Sequence, residues 1–151
     1  MRIPETTLIA MSMVTSEPRV ASFDEEATHV ALMHEKFDLG YRTTPGFTEI
    51  QPLSERVACL QEELTELTDA VACKDLPGIA DALVDLVVFA KGTAVQLGLP
   101  WAELFDDVMR SNMSKVRGVG KRGHAVDLVK PDGWIGPRTE EVLAKYGWVK
   151  P

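Results

Sequence analysis

The sequence predicts an all-α protein: an antiparallel four-helix-type bundle with a flexible C-terminal tail, completed by oligomerisation. Three observations carry this. Apolar residues recur at alternating spacings of three and four over long stretches, the pattern of helices that bury one seam. The breaks between these stretches are short and hold helix stop and start signals, so successive helices run antiparallel. No period-two alternation competes, and no internal repeat is present. With 151 residues, 45% hydrophobic and 26% charged, one globular domain with a sizeable core is the simplest organisation. It divides into an N-terminal arm (residues 1–21), the helical domain (22–117) and a tail or lid of the same domain (118–151).

The elements follow in order. The opening MRIPETTLIAMSMV has one Arg and then Glu5 inside a short apolar run, too weak for a signal peptide or a membrane span. Ser22 with Glu25 reads as a capping box for a helix to about Leu39. Its seam is Phe23, Ala27, Val30, His34 and Phe37, with Gly40 as the stop. A loop with Pro45, Gly46 and Pro52 leads to a helix from Leu53 to about Cys73, carrying Leu53, Val57, Leu60, Leu64, Leu67 and Val71. Lys74 to Gly78 is a turn. A third helix runs from Ile79 to Leu97, closed by Gly98. Pro100 opens a fourth, about Trp101 to Val116. Beyond it Gly118, Gly120 and Gly123 speak for a flexible connection, and Pro137 for a short last helix through Glu140, Leu143 and Tyr146.

Charge narrows the function. The net charge of −7 argues against a general nucleic-acid binder, but it is unevenly spread. Up to Arg110 there are 8 basic and 19 acidic residues, net −11; from Ser111 onward 8 basic and 4 acidic, net +4. An acidic body with a basic tail suits a site where cations and an anionic ligand meet. The two cysteines, Cys59 and Cys73, fall 14 positions apart in one predicted helix, hence about 21 Å apart and unable to bond within it. A reducing, cytoplasmic setting is expected.

The stretch from Glu62 to Asp85 holds seven carboxylates. In the third helix Leu83, Val84, Leu86, Val87, Val88, Phe89, Ala90, Ala94 and Val95 surround the axis, yet Asp81 and Asp85 stand on one side of it. Like charges at i, i+4 repel, and a carboxylate against packed hydrocarbon needs compensation. Pairing with Arg or Lys is one answer, although only Lys74 lies in the stretch and Lys91 is the next base beyond it. Service to the helix dipole is another for Asp81, but not for Asp85, well inside the helix. On the second helix Glu63 and Glu66 can lie toward a neighbour's edge, while Glu62 and Asp69 point more nearly to water. Acids at i, i+3 facing acids on the next helix make an all-oxygen site of the kind Mg²⁺ or Mn²⁺ favours. The plainer alternative is a solvated acidic face. In the fourth helix Asn112 falls at the centre of the seam of Trp101, Leu104, Phe105 and Val108, with Lys115 at its edge; either the last turn leaves the core, or Asn112 and Lys115 serve a ligand.

Taken in order, EELTE, a short turn, DALVDLVVFAKGTA and RSNMSK resemble the MazG-like branch of the all-α nucleoside triphosphate pyrophosphohydrolases, with further agreement from VALMHEKFDLG and KPDGW. The resemblance covers about Val30 to Trp134. It implies hydrolysis of a (deoxy)nucleoside triphosphate between the α and β phosphates, with Mg²⁺ or Mn²⁺ as cofactor, in a homodimer or homotetramer. It also implies metal binding by Glu63, Glu66 and Asp85. The family's usual fourth acid would fall at Ala82, so that Asp81 replaces it one position earlier or one ligand is missing. Asn112 and Lys115 match the NxxK element that contacts the phosphates. Glu62 is expected as an outer acid or the base that orients water. By analogy with phage-type and other small stand-alone members, a purine dNTP such as dGTP or dATP is the expected substrate. For the tail, one reading has Lys121, Arg122 or Lys130 near the phosphates and Trp134 covering the nucleotide; the other has Trp134 and Trp148 only docking the tail.

RGVGKRG lacks the spacing and preceding strand of a Walker loop, and His29, His34 and His124 lack zinc-ligand spacing. His34, on a helix seam, reads as a packed core residue. Neither nucleic acid nor membrane is expected as a partner. The contrasting expectation is a catalytically silent helical interaction module whose acids are merely surface.

Overall fold

The computed structural model describes Ala21, residues 23–119 and residues 127–151. Among these are five helices, α1 (Glu25–Lys36), α2 (Leu53–Cys73), α3 (Leu76–Gln96), α4 (Trp101–Met113) and α5 (Thr139–Lys145), and two short strands, β1 (Val116–Gly118) and β2 (Asp127–Val129). The all-α class holds. The arm up to Val20, Ser22, Gly120, Lys121, Arg122 and Gly123 lie outside the described residues.

Helix α1 is capped by Asp24, whose Oδ1 accepts from Ala27 N at 2.7 Å. The expected pairing of Ser22 with Glu25 is therefore corrected. Glu25 is the first helical residue, while a capping-box acid belongs at the third. The helix also stops at Lys36, short of Leu39, because Asp38 turns to φ 55° and Leu39 N bonds back to His34 O at 2.9 Å. Ala27, Val30 and His34 are buried as the seam requires, but Phe37, just past the helix, is 60% exposed.

The hairpin of α2 and α3 is the backbone of the fold. Helix α2 has the bounds its apolar period predicts, and Lys74 closes it in a left-handed conformation at φ 57°. The turn is shorter than expected, since α3 starts at Leu76 and takes in Pro77. A proline in the first turn loses no hydrogen bond and arrives with helical φ. Helix α1 packs on α3 as well.

The apolar seam of α2 is split along its length. Leu53, Leu60 and Leu67, seven apart, are half-buried, whereas Val57, Leu64 and Val71, also seven apart, are each more than half exposed. Helix α3 covers one row and leaves the other. On α3 itself Ala82, Gly92, Ala94 and Val95 are buried, but Leu83, Val84 and Val87 are open to solvent.

Helix α4 leaves α3 at 120° and packs against α5. It ends at Met113, not near Val116, because Val116 pairs with Val129 in an antiparallel ladder with β2. The seam of Trp101, Leu104, Phe105 and Val108 is correspondingly not a buried one: Phe105 and Val108 are exposed, and the fully buried residue of the helix is Ser111. The tail read as flexible contains this hairpin and α5. Gly118 is needed there, since a Cβ at that position would stand 2.7 Å from Val129 Cγ2. Asp107 accepts from Arg138 N, Arg110 donates to Gly136 O, and Glu103 accepts from Lys145 and Tyr146. No single described helix is long and apolar enough to cross a membrane.

Candidate active site

The hairpin brings the acids together by its symmetry. Glu63 lies eleven residues before Lys74 and Asp85 ten after Asp75, so antiparallel helices joined at that turn set them at nearly the same height. Glu62 and Glu66 flank Glu63 on α2, and Asp81 precedes Asp85 by one turn of α3. Glu63 is the centre of the group. It is half-buried, and its Oε2 is shut off from solvent with no hydrogen-bond partner. Desolvation pushes its carboxyl above the ordinary glutamate value, and the charges of Glu66, Asp85, Glu62 and Asp81 push it further. Asp85 is half-buried; Glu62, Glu66 and Asp81 are exposed.

Ordinary ion pairing does not compensate this cluster. Among the described residues none of the five side chains takes part in a salt bridge. The two cations best placed to do so are engaged elsewhere. Lys91, six residues and about 9 Å along α3 from Asp85, is 6% exposed and bonds Asp24 at 2.8 Å and Glu26 at 2.6 Å. Arg56, buried two turns before Glu63, donates from Nε to Thr93 Oγ1 at 3.2 Å and from Nη2 to Phe89 O at 3.0 Å, with its guanidinium over the Phe89 ring. Sequence reading missed Arg56; its position seven residues before Glu63, on the α3-facing side of α2, was the available signal.

The donor set is all oxygen, and the orphaned Glu63 Oε2 is the kind of atom a hard divalent cation satisfies. The carboxylates are not drawn into a finished cage: among the described residues no three acidic, imidazole or thiol groups converge closely enough to hold an ion. Ala82, where the resemblance expects an acid, is buried. Asp81, its neighbour, points about 100° away around the helix and is exposed.

The expected phosphate-binding residues form a second group. Lys115 Nζ donates to Asn112 Oδ1 at 2.8 Å, and both side chains are half-buried. Lys115 Nζ lies 5.7 Å and Lys130 Nζ 4.3 Å from the centre of the Trp134 ring. Trp134 Nε1 donates to Ser111 O at 2.9 Å. Thus Asn112, Lys115, Lys130 and Trp134 meet at the end of α4, while Lys121 and Arg122 lie outside the described residues. No hydrogen bond or ion pair joins this group to the acids among the described residues. His34 is fully buried, with Nδ1 3.0 Å from Gly40 O. Burial holds it below the usual histidine value, the Gly40 bond opposes this, and the nearby Arg56 charge adds to the lowering. It is a core residue, as its seam position predicts. Cys59 and Cys73 are both free thiols on α2.

No curated protein matches the chain. Residues 30–112 match a protein family described as phosphoribosyl-ATP pyrophosphohydrolase, an all-α nucleotide pyrophosphohydrolase family related to the MazG-like enzymes; the matched span holds all five clustered acids and Asn112 and ends before Lys115. Since that span is more than half of the 151 residues and contains the α2/α3 hairpin with its uncompensated carboxylates, the chain belongs to the phosphoribosyl-ATP pyrophosphohydrolase family.

Proposed function

We propose that this protein is a divalent-metal-dependent pyrophosphohydrolase that cleaves a nucleoside triphosphate between the α and β phosphates, releasing the monophosphate and pyrophosphate, with a purine dNTP such as dGTP or dATP as substrate. The observation that carries this reading is Glu63 Oε2, buried without a partner among four other carboxylates and in no ion pair with any cation among the described residues. Glu63, Glu66, Asp81 and Asp85 would hold Mg²⁺ or Mn²⁺. Such an ion, when bound, neutralises phosphate charge and polarises the α-phosphate toward attack by water.

The chain's own residues supply the rest. Glu63 keeps its proton to a higher pH than an ordinary glutamate and gives it up when a cation arrives, which couples ligand binding to pH. Glu62, exposed beside it, is placed to orient a water molecule. Asn112 and Lys115 bring an amide and an ammonium to the phosphates, and Lys130 adds a second positive charge. The uncovered rows Val57, Leu64, Val71 and Leu83, Val84, Val87 suit a second copy, so that a homodimer or homotetramer is the working form. The free cysteines accord with a cytoplasmic setting.

The test is a substrate panel. The full chain is incubated with each dNTP, and with phosphoribosyl-ATP, in the presence of Mg²⁺ or Mn²⁺, and the phosphorus products are resolved by NMR. Equimolar pyrophosphate and deoxynucleoside monophosphate from a purine dNTP is the expected result. Turnover of phosphoribosyl-ATP alone would move the substrate to the family's namesake, and no turnover of any nucleotide would leave the helical interaction module.

A further inference from the structure

We infer that Trp134 is a positioning residue that holds Lys115 and Lys130 as a paired ammonium clamp for a phosphate-chain oxyanion of the pyrophosphate class. Both lysines are outside the span matched to the family. The assignment of pyrophosphate as the physiological anion rests on the reading above; the clamp itself rests on its own geometry.

That geometry starts from strand register. Val116 pairs with Val129 at the end of the antiparallel ladder, and Lys115 and Lys130 are the residues next to that last pair on the two segments. Like charges brought to the same end of a ladder repel. An acidic neighbour would relieve this, yet among the described residues neither ammonium has a carboxylate partner: Lys115 bonds only the neutral Asn112 amide, and Lys130 has no salt bridge. What the two share is the Trp134 ring, at 5.7 and 4.3 Å, within reach of the attraction between a cation and an indole face. Both distances run to one ring centre, which keeps the two nitrogens within about 10 Å of each other.

The ring is held by more than the lysines. Its Nε1–H is bonded to Ser111 O, its backbone N–H closes a turn onto Pro131 O at 3.1 Å, and Gly133 in that turn has φ 73°. Gly136 lets the chain pass against the ring edge, where a Cβ would be 3.3 Å from Trp134 Cζ3, and Arg110 secures Gly136 O at 3.0 Å. The segment from Pro131 to Gly136 is thus built onto α4 around this indole. A ring so fixed, engaged by two ammonium groups that have no carboxylate partner among the described residues, serves to present positive charge. An anion with several oxygens spread along a chain meets both nitrogens, and a single monophosphate meets one.

The experiment measures binding of inorganic pyrophosphate, with Mg²⁺, to the full chain by titration calorimetry, with no turnover required. Lys130→Gln and Trp134→Leu are expected to weaken it roughly tenfold or more, the scale of one lost charged hydrogen bond. Trp134→Phe, which keeps an aromatic face, should stay within about threefold of the parent, and in Lys130→Gln and Trp134→Leu deoxynucleoside monophosphate, which meets one ammonium, should lose less affinity than pyrophosphate does. The tryptophan emission change on adding pyrophosphate should be lost in Trp134→Phe. Parent-like pyrophosphate affinity in Lys130→Gln overturns the clamp. So does Trp134→Phe failing as badly as Trp134→Leu, or equal loss of monophosphate binding in every variant, since those mark a packing role. Because this readout is independent of hydrolysis, a chain that turns over no nucleotide but loses pyrophosphate binding in Lys130→Gln refutes the proposed reaction and keeps the clamp; the reverse pattern does the opposite.

Discussion

Helix α3 meets acids on two sides, and the two contacts are built in opposite ways. Toward α1, Asp24 and Glu26 converge on Lys91, and every charge has its partner. Burial alone would lower the Lys91 pKa, but the hydrogen bonds it donates to the two carboxylates overcome this and leave the ammonium favoured. Toward α2, Glu63 meets Glu66, Asp85, Glu62 and Asp81 with no cation paired to them among the described residues. Both contacts use the same helix, less than two turns apart. Among the described residues the chain therefore neutralises the acids on the α1 side and not those on the α2 side, the pattern that the proposed cation site needs.

The comparison breaks most visibly if a cation is built into the second contact. Glu66→Lys supplies the missing charge covalently, so it should raise the melting temperature of the metal-free protein. It should also cut turnover roughly a hundredfold or more, as loss of a ligand and of metal affinity would. Calorimetric melts beside a pyrophosphate assay check both. Unchanged activity in that variant would mean that the acids are surface.

Breaking the first contact has the next largest effect and falls on stability. Lys91→Met leaves Asp24 partly buried beside α3 without its counter-charge, and costs about 3 kcal/mol, toward the low end for a broken buried pair because Glu26 remains largely exposed. Urea unfolding followed by circular dichroism measures it, and a loss under about 0.5 kcal/mol, the scale of a surface pair, would show that the contact is ornamental to the fold.

A finer distinction lies in pH. Desolvation pushes the Asp24 carboxyl up, but the Lys91 and Ala27 hydrogen bonds more than offset this and hold it below the ordinary aspartate value of 3.8. Its contribution is present above pH 3.8 and is lost as pH falls through the lowered folded value. Glu63 is raised above 4.5 by burial and by its acidic neighbours. It favours the fold below pH 4.5, and that contribution disappears as pH rises through the raised folded value. The two acids thus slope in opposite directions in metal-free protein. Glu63→Gln should flatten the decline on the way to neutral pH, whereas Asp24→Asn should lower stability at neutral pH and leave the acid end alone. Thermal melts from pH 3 to 8 in chelator test this, and the same slope for both variants would contradict it.

Much of this was legible in the sequence, and the failures have physical causes. Helix α2 was read to its correct ends because its apolar residues repeat over three heptads between Pro52 and Lys74. The acidic cluster was legible because Asp85 interrupts an otherwise apolar helix. The pairing of Lys91 with Asp24 was not, since it joins positions 67 residues apart. That same pairing decides the α1 cap: Ser22 and Asp24 are both adequate caps by residue type, and Asp24 also meets Lys91. Strands of three residues are too short for a period-two pattern to register, so Val116 reads as the end of α4 and Gly118 as part of a flexible connection. The split in the α2 seam was hidden as well, because sequence alone marks which residues avoid water and not how many of them one chain can cover.

Asp85→Asn separates carboxylates that bind the cation driving hydrolysis, as proposed for α2 and α3, from carboxylates that are only surface. Asp85 has no ion pair among the described residues, so the change removes a charge without breaking a contact. Pyrophosphate release from the best substrate in the panel, with Mg²⁺ or Mn²⁺, is followed for the parent and for Asp85→Asn, alongside the melting temperature of each with and without metal. The expected results are release by the parent that stops on chelation, no detectable release by Asp85→Asn, a metal-induced rise in melting temperature for the parent only, and an unaltered or higher melting temperature for the metal-free variant. Near-parental release by Asp85→Asn, with its metal response intact, would contradict cation binding by these carboxylates.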